Sequence, residues 1–325
     1  MKALGRDILI AFVAGVVMPA MLVRVGLALR AERREIPTPL TLTEPSEVTG
    51  SYPSRQILFR DTDGSAGAVE LEEYLVGAVL GEMPASFGQE ALKAQAVAAR
   101  TYAWKAAMTG SRHPDGSVCG NYACCQAYIS PESYLDRGGL QRDVDKIRSA
   151  VLATAGQVLT YGGELIEATY FSCSGGRTED AVALWGNDFP YLRSVESPGE
   201  EDAAWFTDEA VFSRQDLEAL LGTDLPDDAS HWFGEVTYTA GGGVETVRIG
   251  DRLFPGTKVR SLLSLRSTAF SVTAEGDNAV FTTRGYGHRV GMSQYGADAM
   301  AAGGADYAQI LAHYYPGTEL MLLEE

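Results

Sequence analysis

The densest cluster of reactive side chains lies in SRHPDGSVCGNYACCQAY, which holds His113, Cys119, Cys124 and Cys125. One imidazole and three thiolates complete the tetrahedral shell that zinc prefers. A shell with no open position pins a loop rather than activating water. The competing chemistry is disulfide bonding, which an extracytoplasmic location favours. The only other cysteine is Cys173, so two bridges are the limit, and the adjacent Cys124 and Cys125 are poorly placed to bridge each other. The pattern points to a structural zinc ion, with Cys173 as a substitute ligand from outside the loop.

Glu82 ends the apolar run in VGAVLGEMPASF. Apolar surroundings disfavour a carboxylate and raise its pKa. An acid still protonated near neutrality is what cleavage of a glycosidic bond demands. The same position also suits an ordinary solvated glutamate at a helix end. YFSCSGGRTED, residues 170–180, sets Ser172, Ser174 and Thr178 around Gly175 and Gly176. Glycines there allow close backbone approach, and hydroxyls can bond sugar hydroxyls. The segment lacks the G-x-S-x-G elbow of a serine hydrolase, and Arg177 and Glu179 also fit a solvated turn. GYGHRVGMSQYGADAM, residues 285–300, carries His288, Ser293, Gln294 and Tyr295, with His288 fitting a site or a structural role equally. Trp104, Trp185, Tyr191 and Tyr295 belong to types that stack on sugar faces or fill a core.

The elements that must position these groups read as α+β, mixed helices and antiparallel strands around an alanine-rich helix. QILFR and GAVELE are short strands joined by the turn DTDG. Leu71, Tyr74, Leu75, Ala78 and Val79 have helical spacing up to Gly81, and Pro84 ends that helix. A second helix covers about 89–108, with Ser86 and Gln89 at capping-box spacing. Its sequence, ALKAQAVAARTYAWKAA, lets other backbone approach closely, which suits a central position. A further helix covers 143–155, and GQVLTYGGELIEATYFS reads as a hairpin turning at Gly162–Gly163. Residues 200–272 differ in texture, acidic with a DLEALLG helix and the strand pair GEVTYTAGGGVETVRIG, and read as an inserted subdomain.

Of the 325 residues, 46% are hydrophobic, enough for a core, and the formal net charge is −17. That balance argues against a nucleic-acid partner, whose dense negative charge requires lysine and arginine. Residues 8–29 form an apolar run long enough to span a bilayer, preceded by Lys2 and Arg6 and interrupted by Pro19 and Arg24. No small-x-small cleavage pattern follows, so residues 1–34 are expected to be an uncleaved signal anchor. Residues 35–55, rich in Pro, Thr, Ser and Glu, read as a flexible stem, and 56–325 as the folded domain. Such an anchor makes a single-pass protein, and basic residues on both sides of it leave the orientation open.

Together the segments LEEYLVGAVLGEMPASFGQEALKAQAVAARTYAW, the His-Cys loop, SGGRTED with LWGNDFPYLRSVESP, RGYGHRVGMSQYGADAMA and HYYPGTEL resemble the stage II sporulation protein D family. The resemblance spans about 71–320 and is weakest over 200–244. It implies a peptidoglycan lytic transglycosylase whose catalytic domain lies outside the cytoplasm, between the two membranes, and acts during engulfment on glycan strands stripped of stem peptides. The implied partners are the amidase stage II sporulation protein P and the membrane protein M of the same stage. The family's catalytic glutamate falls on Glu82, and the ligands of a zinc-bearing form fall on His113, Cys119 and Cys125, with a histidine where this chain has Cys124. Ser172, Ser174, Arg177, Tyr191, His288 and Gln294 are then the candidate sugar contacts. Cys173 replaces a threonine and Arg289 a glycine of the family pattern. Related domains also occur in amidase enhancers, so a non-catalytic wall-binding role is the alternative, and a hydrolase using Glu82 with a second acid is a third.

Overall fold

The structure is a computed structural model that describes residues 55–323 apart from 62–63 and 111. The proposed anchor, and all but the last residue of the stem, lie outside the described residues. Among those described, no helix is long and apolar enough to cross a membrane.

Strands β1 (Gln56–Arg60) and β2 (Ala66–Glu70) pair antiparallel and lead directly into α1 (Leu71–Glu82). This helix is buried nearly all round, from Leu71 through Leu80. Its glycines explain how. A Cβ at Gly77 would come within 2.2 Å of the Tyr128 ring, and one at Gly81 within 2.8 Å of the Ala127 backbone. Four residues apart, the two glycines share a face. Along that face lies the segment 126–129, tied by Ile129 N–H to Gly77 O at 3.0 Å.

Helix α2 (Gln89–Thr109) is the axis of the larger core, with Ala91, Ala94, Ala96, Ala98, Ala99 and Ala103 all fully buried. Methyl-sized side chains let neighbouring elements pack against it at close range. Its N-terminus differs from the capping-box expectation. The N-cap is Gly88, which offers no capping side chain, and its own N–H donates to Asp298 Oδ1 at 2.6 Å.

After α2 come β3 (Val118–Cys119), parallel to β1, then α3 (Pro131–Asp136) and α4 (Gln141–Ala153). Strands β4 (Gln157–Tyr161) and β5 (Glu164–Leu165) form the expected hairpin, with positive φ at both Gly162 and Gly163 as a type I′ turn requires. The short β6 (Tyr170–Phe171) and α5 (Ala181–Trp185) follow.

The chain then makes an excursion: β7 (Thr207–Ser213), α6 (Arg214–Leu221), β8 (Phe233–Tyr238), β9 (Val244–Ile249), β10 (Arg252–Pro255), α7 (Gly256–Leu263), β11 (Phe270–Glu275) and β12 (Asn278–Arg284). These elements build two three-stranded antiparallel sheets around a second hydrophobic cluster, which includes Leu217, Trp232, Val247, Phe254, Val259 and Phe281. β12 returns to pair with β7, Arg284 opposite Thr207. The chain closes with β13 (Met292–Ser293), parallel to β6, then α8 (Gln294–Ala302), α9 (Tyr307–Tyr314) and β14 (Glu319–Leu322), which pairs with β4. The mixed α+β class is as expected.

Arg100 joins four of these elements from inside the core. It is fully buried on α2, and its Nη2 and Nε meet the Glu72 carboxylate at 2.6 and 3.0 Å. The remaining donors reach Val151 O and Gln157 O, both at 3.1 Å. Arg100→Met should therefore leave two carbonyls unmatched and Glu72 without its cation, keeping only the Gly156 N–H at 3.0 Å. Because Glu72 retains some solvent contact, the expected loss is about 3 kcal/mol, near the low end for a broken buried pair. A lowered urea midpoint with an unchanged slope would report it, and an unchanged midpoint would refute it.

Candidate active site

Glu82 ends α1 half-buried, in a hollow of about 320 Å³ lined also by Pro84, Phe87, Tyr134, Ser172, Trp205, Gln294 and Tyr295. A second hollow shares Pro84, Ala85 and Tyr134 and continues to Ser86, Arg142, Asp143 and Lys146, so the cleft is elongated. Lys146 Nζ donates to Ala85 O and Phe87 O at 2.8 and 2.6 Å, fixing the loop that follows Glu82.

Burial raises the Glu82 pKa above the ordinary carboxylate range. Three donors work against it: the Ala127 N–H, the Gln294 amide and the Tyr170 hydroxyl, in falling order. The Ala127 N–H to Glu82 Oε1 distance is 2.6 Å. A helix C-terminus is itself a poor place for negative charge, so these donors matter for the ionised form.

The Tyr170 proton is steered from further back. Tyr74 O–H donates to Gln126 Oε1 at 2.9 Å, and Gln126 Nε2 donates to Tyr170 Oη at 2.6 Å. Tyr170 therefore accepts from the amide and keeps its own proton for Glu82. Burial pushes both phenols well above their usual range, so they stay neutral donors.

Of the expected sugar contacts, Ser172 and Gln294 line the hollow. Gln294 is 6% exposed, and its Nε2, although it faces Glu82, makes no hydrogen bond of normal geometry. The other four do not line it. Ser174 is buried against Glu200, donating its hydroxyl to Oε2 at 2.9 Å. Arg177 donates to Ser194 Oγ at 3.0 Å. The Tyr191 hydroxyl accepts from Glu167 N–H at 3.1 Å, and its ring packs on Tyr161 and Phe189. His288 lies against Phe171 and Trp185, with Nδ1 accepting from Val290 N–H. Burial, helped by the charge of Arg260, pushes His288 down to about 4, so it is neutral at physiological pH. Gln126, Ala127, Tyr134, Tyr170 and Trp205 were not singled out in the sequence.

The two departures from the family pattern have structural roles. Cys173 and Ser174 belong to a nest around the buried Glu200, which also accepts from Ser174 N–H, Gly175 N–H and Ser197 Oγ. Arg289 has φ of 64° and is 2% exposed. It donates to Ser174 O, Arg177 O and Gly241 O at 2.7–2.9 Å. The buried Glu179 accepts from Thr239 Oγ1 and Gly241 N–H in the turn between β8 and β9. The pair thus ties the excursion to the glycine-rich loops.

His113 Nε2 and the sulfurs of Cys119, Cys124 and Cys125 all lie within 4.8 Å of one another. Cys119 is set by the pairing of β3 with β1, and Cys124 and Cys125 by a turn in which both N–H groups reach Asn121 O. The Cys124 sulfur is 3.5 Å from His113 Nε2 and 3.9 Å from the Cys125 sulfur. Tetrahedral zinc, with bonds of about 2.0–2.3 Å, sets ligand atoms roughly 3.3–3.8 Å apart. The donor types fit that ion, and the separations of the Cys124 sulfur from His113 Nε2 and from the Cys125 sulfur come close to its spacing. Cys173 is not a member of this group and bonds Glu200 instead.

The α+β frame thus carries a carboxyl at the end of a buried helix in an elongated cleft, and a separate cluster of one histidine and three cysteines. Residues 62–161 match the family described as Stage II sporulation protein. The chain is 36% identical over 300 residues to stage II sporulation protein D of Bacillus subtilis, covering 91% of this chain and 87% of that one. It is 38% identical over 268 residues to stage II sporulation protein D of Bacillus amyloliquefaciens, covering 81% and 77%. It is also 31% identical to an amidase enhancer of Bacillus subtilis, over 76% of this chain and 40% of that protein. The chain belongs to the stage II sporulation protein D family.

The buried carboxyl makes a signed prediction. A folded-state pKa raised above the unfolded value of roughly 4.3 favours folding below that value, and the benefit is lost as pH rises through the folded pKa. Glutamine can accept the Ala127 hydrogen bond without a charge. The stability of Glu82→Gln relative to the parent should therefore grow between pH 4 and pH 8. Urea unfolding at both values checks this, and an equal difference at the two would show that Glu82 is not raised.

Proposed function

We propose that the chain is a peptidoglycan lytic transglycosylase acting in sporulation engulfment, held at the membrane by residues 8–29 with its folded domain outside the cytoplasm. The observation that carries this reading is Glu82, the sole carboxyl lining its hollow among the described residues, with its pKa raised by burial. Hydrolytic glycosidases use two carboxyl groups, one of them for water or as nucleophile. One group suffices when the nucleophile lies in the substrate. Asp143 lines the adjoining hollow, where it accepts from Tyr134 O–H at 3.0 Å.

Protonated Glu82 donates to the oxygen between N-acetylmuramic acid and N-acetylglucosamine as the bond from that oxygen to the muramic C1 breaks. Positive charge develops on the sugar. The carboxylate, now stabilised by Ala127 N–H, Tyr170 and Gln294, removes the proton of the muramic 6-hydroxyl. That oxygen bonds to C1 and closes a 1,6-anhydro ring. The proton lost in the first step returns in the second, so the cycle closes without water. On this reading the substrate is glycan freed of stem peptides, and the partners are the amidase stage II sporulation protein P and the membrane protein M.

Incubated with peptide-free glycan strands, the wild type should release ends that borohydride cannot reduce. Glu82→Gln should fold and bind but lose cutting by at least the roughly 10²–10⁴-fold typical of general acid loss. Reducible ends from the wild type would mean a water nucleophile and a second acid. A wild type that cuts nothing but stimulates an added amidase would replace this reading with that of an enhancer, the role named for one relative.

For the Cys-His loop we propose one structural zinc ion on His113, Cys119, Cys124 and Cys125. Protein purified without added metal should carry about one equivalent, and Cys119→Ser should lose it together with thermal stability. Metal-free protein with disulfides in its peptide map would defeat the assignment.

A further inference from the structure

Of the four tryptophans, Trp205 alone lines the hollow that holds Glu82. Trp232 is buried in the second core, and Trp185 packs on His288. Trp205 is 37% exposed, and its setting is unusual for an incidental surface ring. The Arg266 guanidinium lies 4.4 Å from the Trp205 ring centroid and 5.2 Å from that of Tyr286. The Trp205 and Tyr286 rings meet edge to face at 5.7 Å. Asp208, 2.8 Å from Arg266 Nε, balances the charge. The backbone below is fixed as well: Tyr286 exchanges two hydrogen bonds with Cys173, and Gly287 N–H donates to Arg266 O. The indole is thus held from one side while it borders a hollow that also contains the Gln294 amide, which faces Glu82.

A rigid aromatic plane beside a few polar groups is what recognition of a sugar ring needs. One face of a pyranose presents C–H groups and its edge presents hydroxyl and amide groups. Ordering the plane in advance lowers the cost of binding. We propose that Trp205 is a saccharide platform, stacking on the C–H face of an N-acetylhexosamine next to the bond cleaved at Glu82, with Arg266 and Tyr286 as its support. This rests on the glycan reading above and assigns one of its subsites.

Calorimetric titration of the full chain with the N-acetylglucosamine tetramer, in the Glu82→Gln background to prevent cutting, tests it. Adding Trp205→Ala should weaken binding about tenfold or more, and Trp205→Phe should recover most of that loss because a smaller ring still stacks. Trp185→Ala should bind as the background does. Near-ultraviolet circular dichroism shows whether each variant is folded, and Arg266→Ala, which leaves the indole in place but loose, should weaken binding to a lesser degree. Equal affinity of Trp205→Ala and its background would overturn the platform while leaving glycan binding intact. Absence of binding by every variant, the background included, would overturn the glycan reading itself, and the platform with it.

Discussion

The contact between α1 and the segment 126–129 is the constraint on which the site depends. Gly77 and Gly81 remove the side chains that would hold the segment off, so the Ala127 N–H reaches the carboxyl at the end of the helix. Without that donor, Glu82 would face both desolvation and the negative end of the helix dipole. The same segment carries Gln126, which directs Tyr170. Cys124 and Cys125 immediately precede it, so whatever holds the Cys-His loop also holds the donors of Glu82 in place. The loop is remote from the chemistry in kind but adjacent to it in covalent structure.

Features set by neighbours in sequence were legible without a structure. The helix period in 71–82, the alanine content of α2, the two-glycine hairpin and the four donors within one loop each carry their cause locally. Features set by distant partners were not. Nothing near Gly88 announces that Asp298 will accept its N–H, and nothing near Arg100 announces Glu72, Val151 and Gln157. The return of β12 to β7 is likewise set between residues far apart in sequence. The environment of Glu82 was half legible: its apolar flank is in the sequence, but Ala127, Tyr170 and Gln294 come from three other segments.

The glycine-rich loops draw their partners from several segments too. Serines, a threonine, an arginine and acids grouped around glycines have the composition of a ligand site. Here most of that polarity is turned inward. Glu200 takes the donors of Cys173, Ser174, Gly175 and Ser197, and Glu179 those of Thr239 and Gly241. Arg289 spends its guanidinium on three carbonyls. Buried charges of this sort must be matched nearly in full, because an unmatched one is far costlier than a matched pair is beneficial. The loops therefore act as a joint whose internal ligands are its own side chains, and its positive-φ arginine is tolerated because those contacts over-determine it.

That joint explains why the excursion sits where it does. Its first and last strands begin and end at Thr207 and Arg284, directly beside Trp205 and Tyr286. Arg266, from the loop between α7 and β11, reaches both rings. A second clamp at the β8–β9 turn, through Glu179 and Arg289, holds the far part of the excursion to the same loops. Two attachments at different points resist rotation better than the strand root alone. The acid at Glu82 is fixed by the larger core and the indole at Trp205 by the excursion, so their separation is set by how rigidly the two cores are joined. On the proposed reading a sugar must be held close to its proton donor, and the buried polar network of the joint is what fixes the spacing of Glu82 and Trp205.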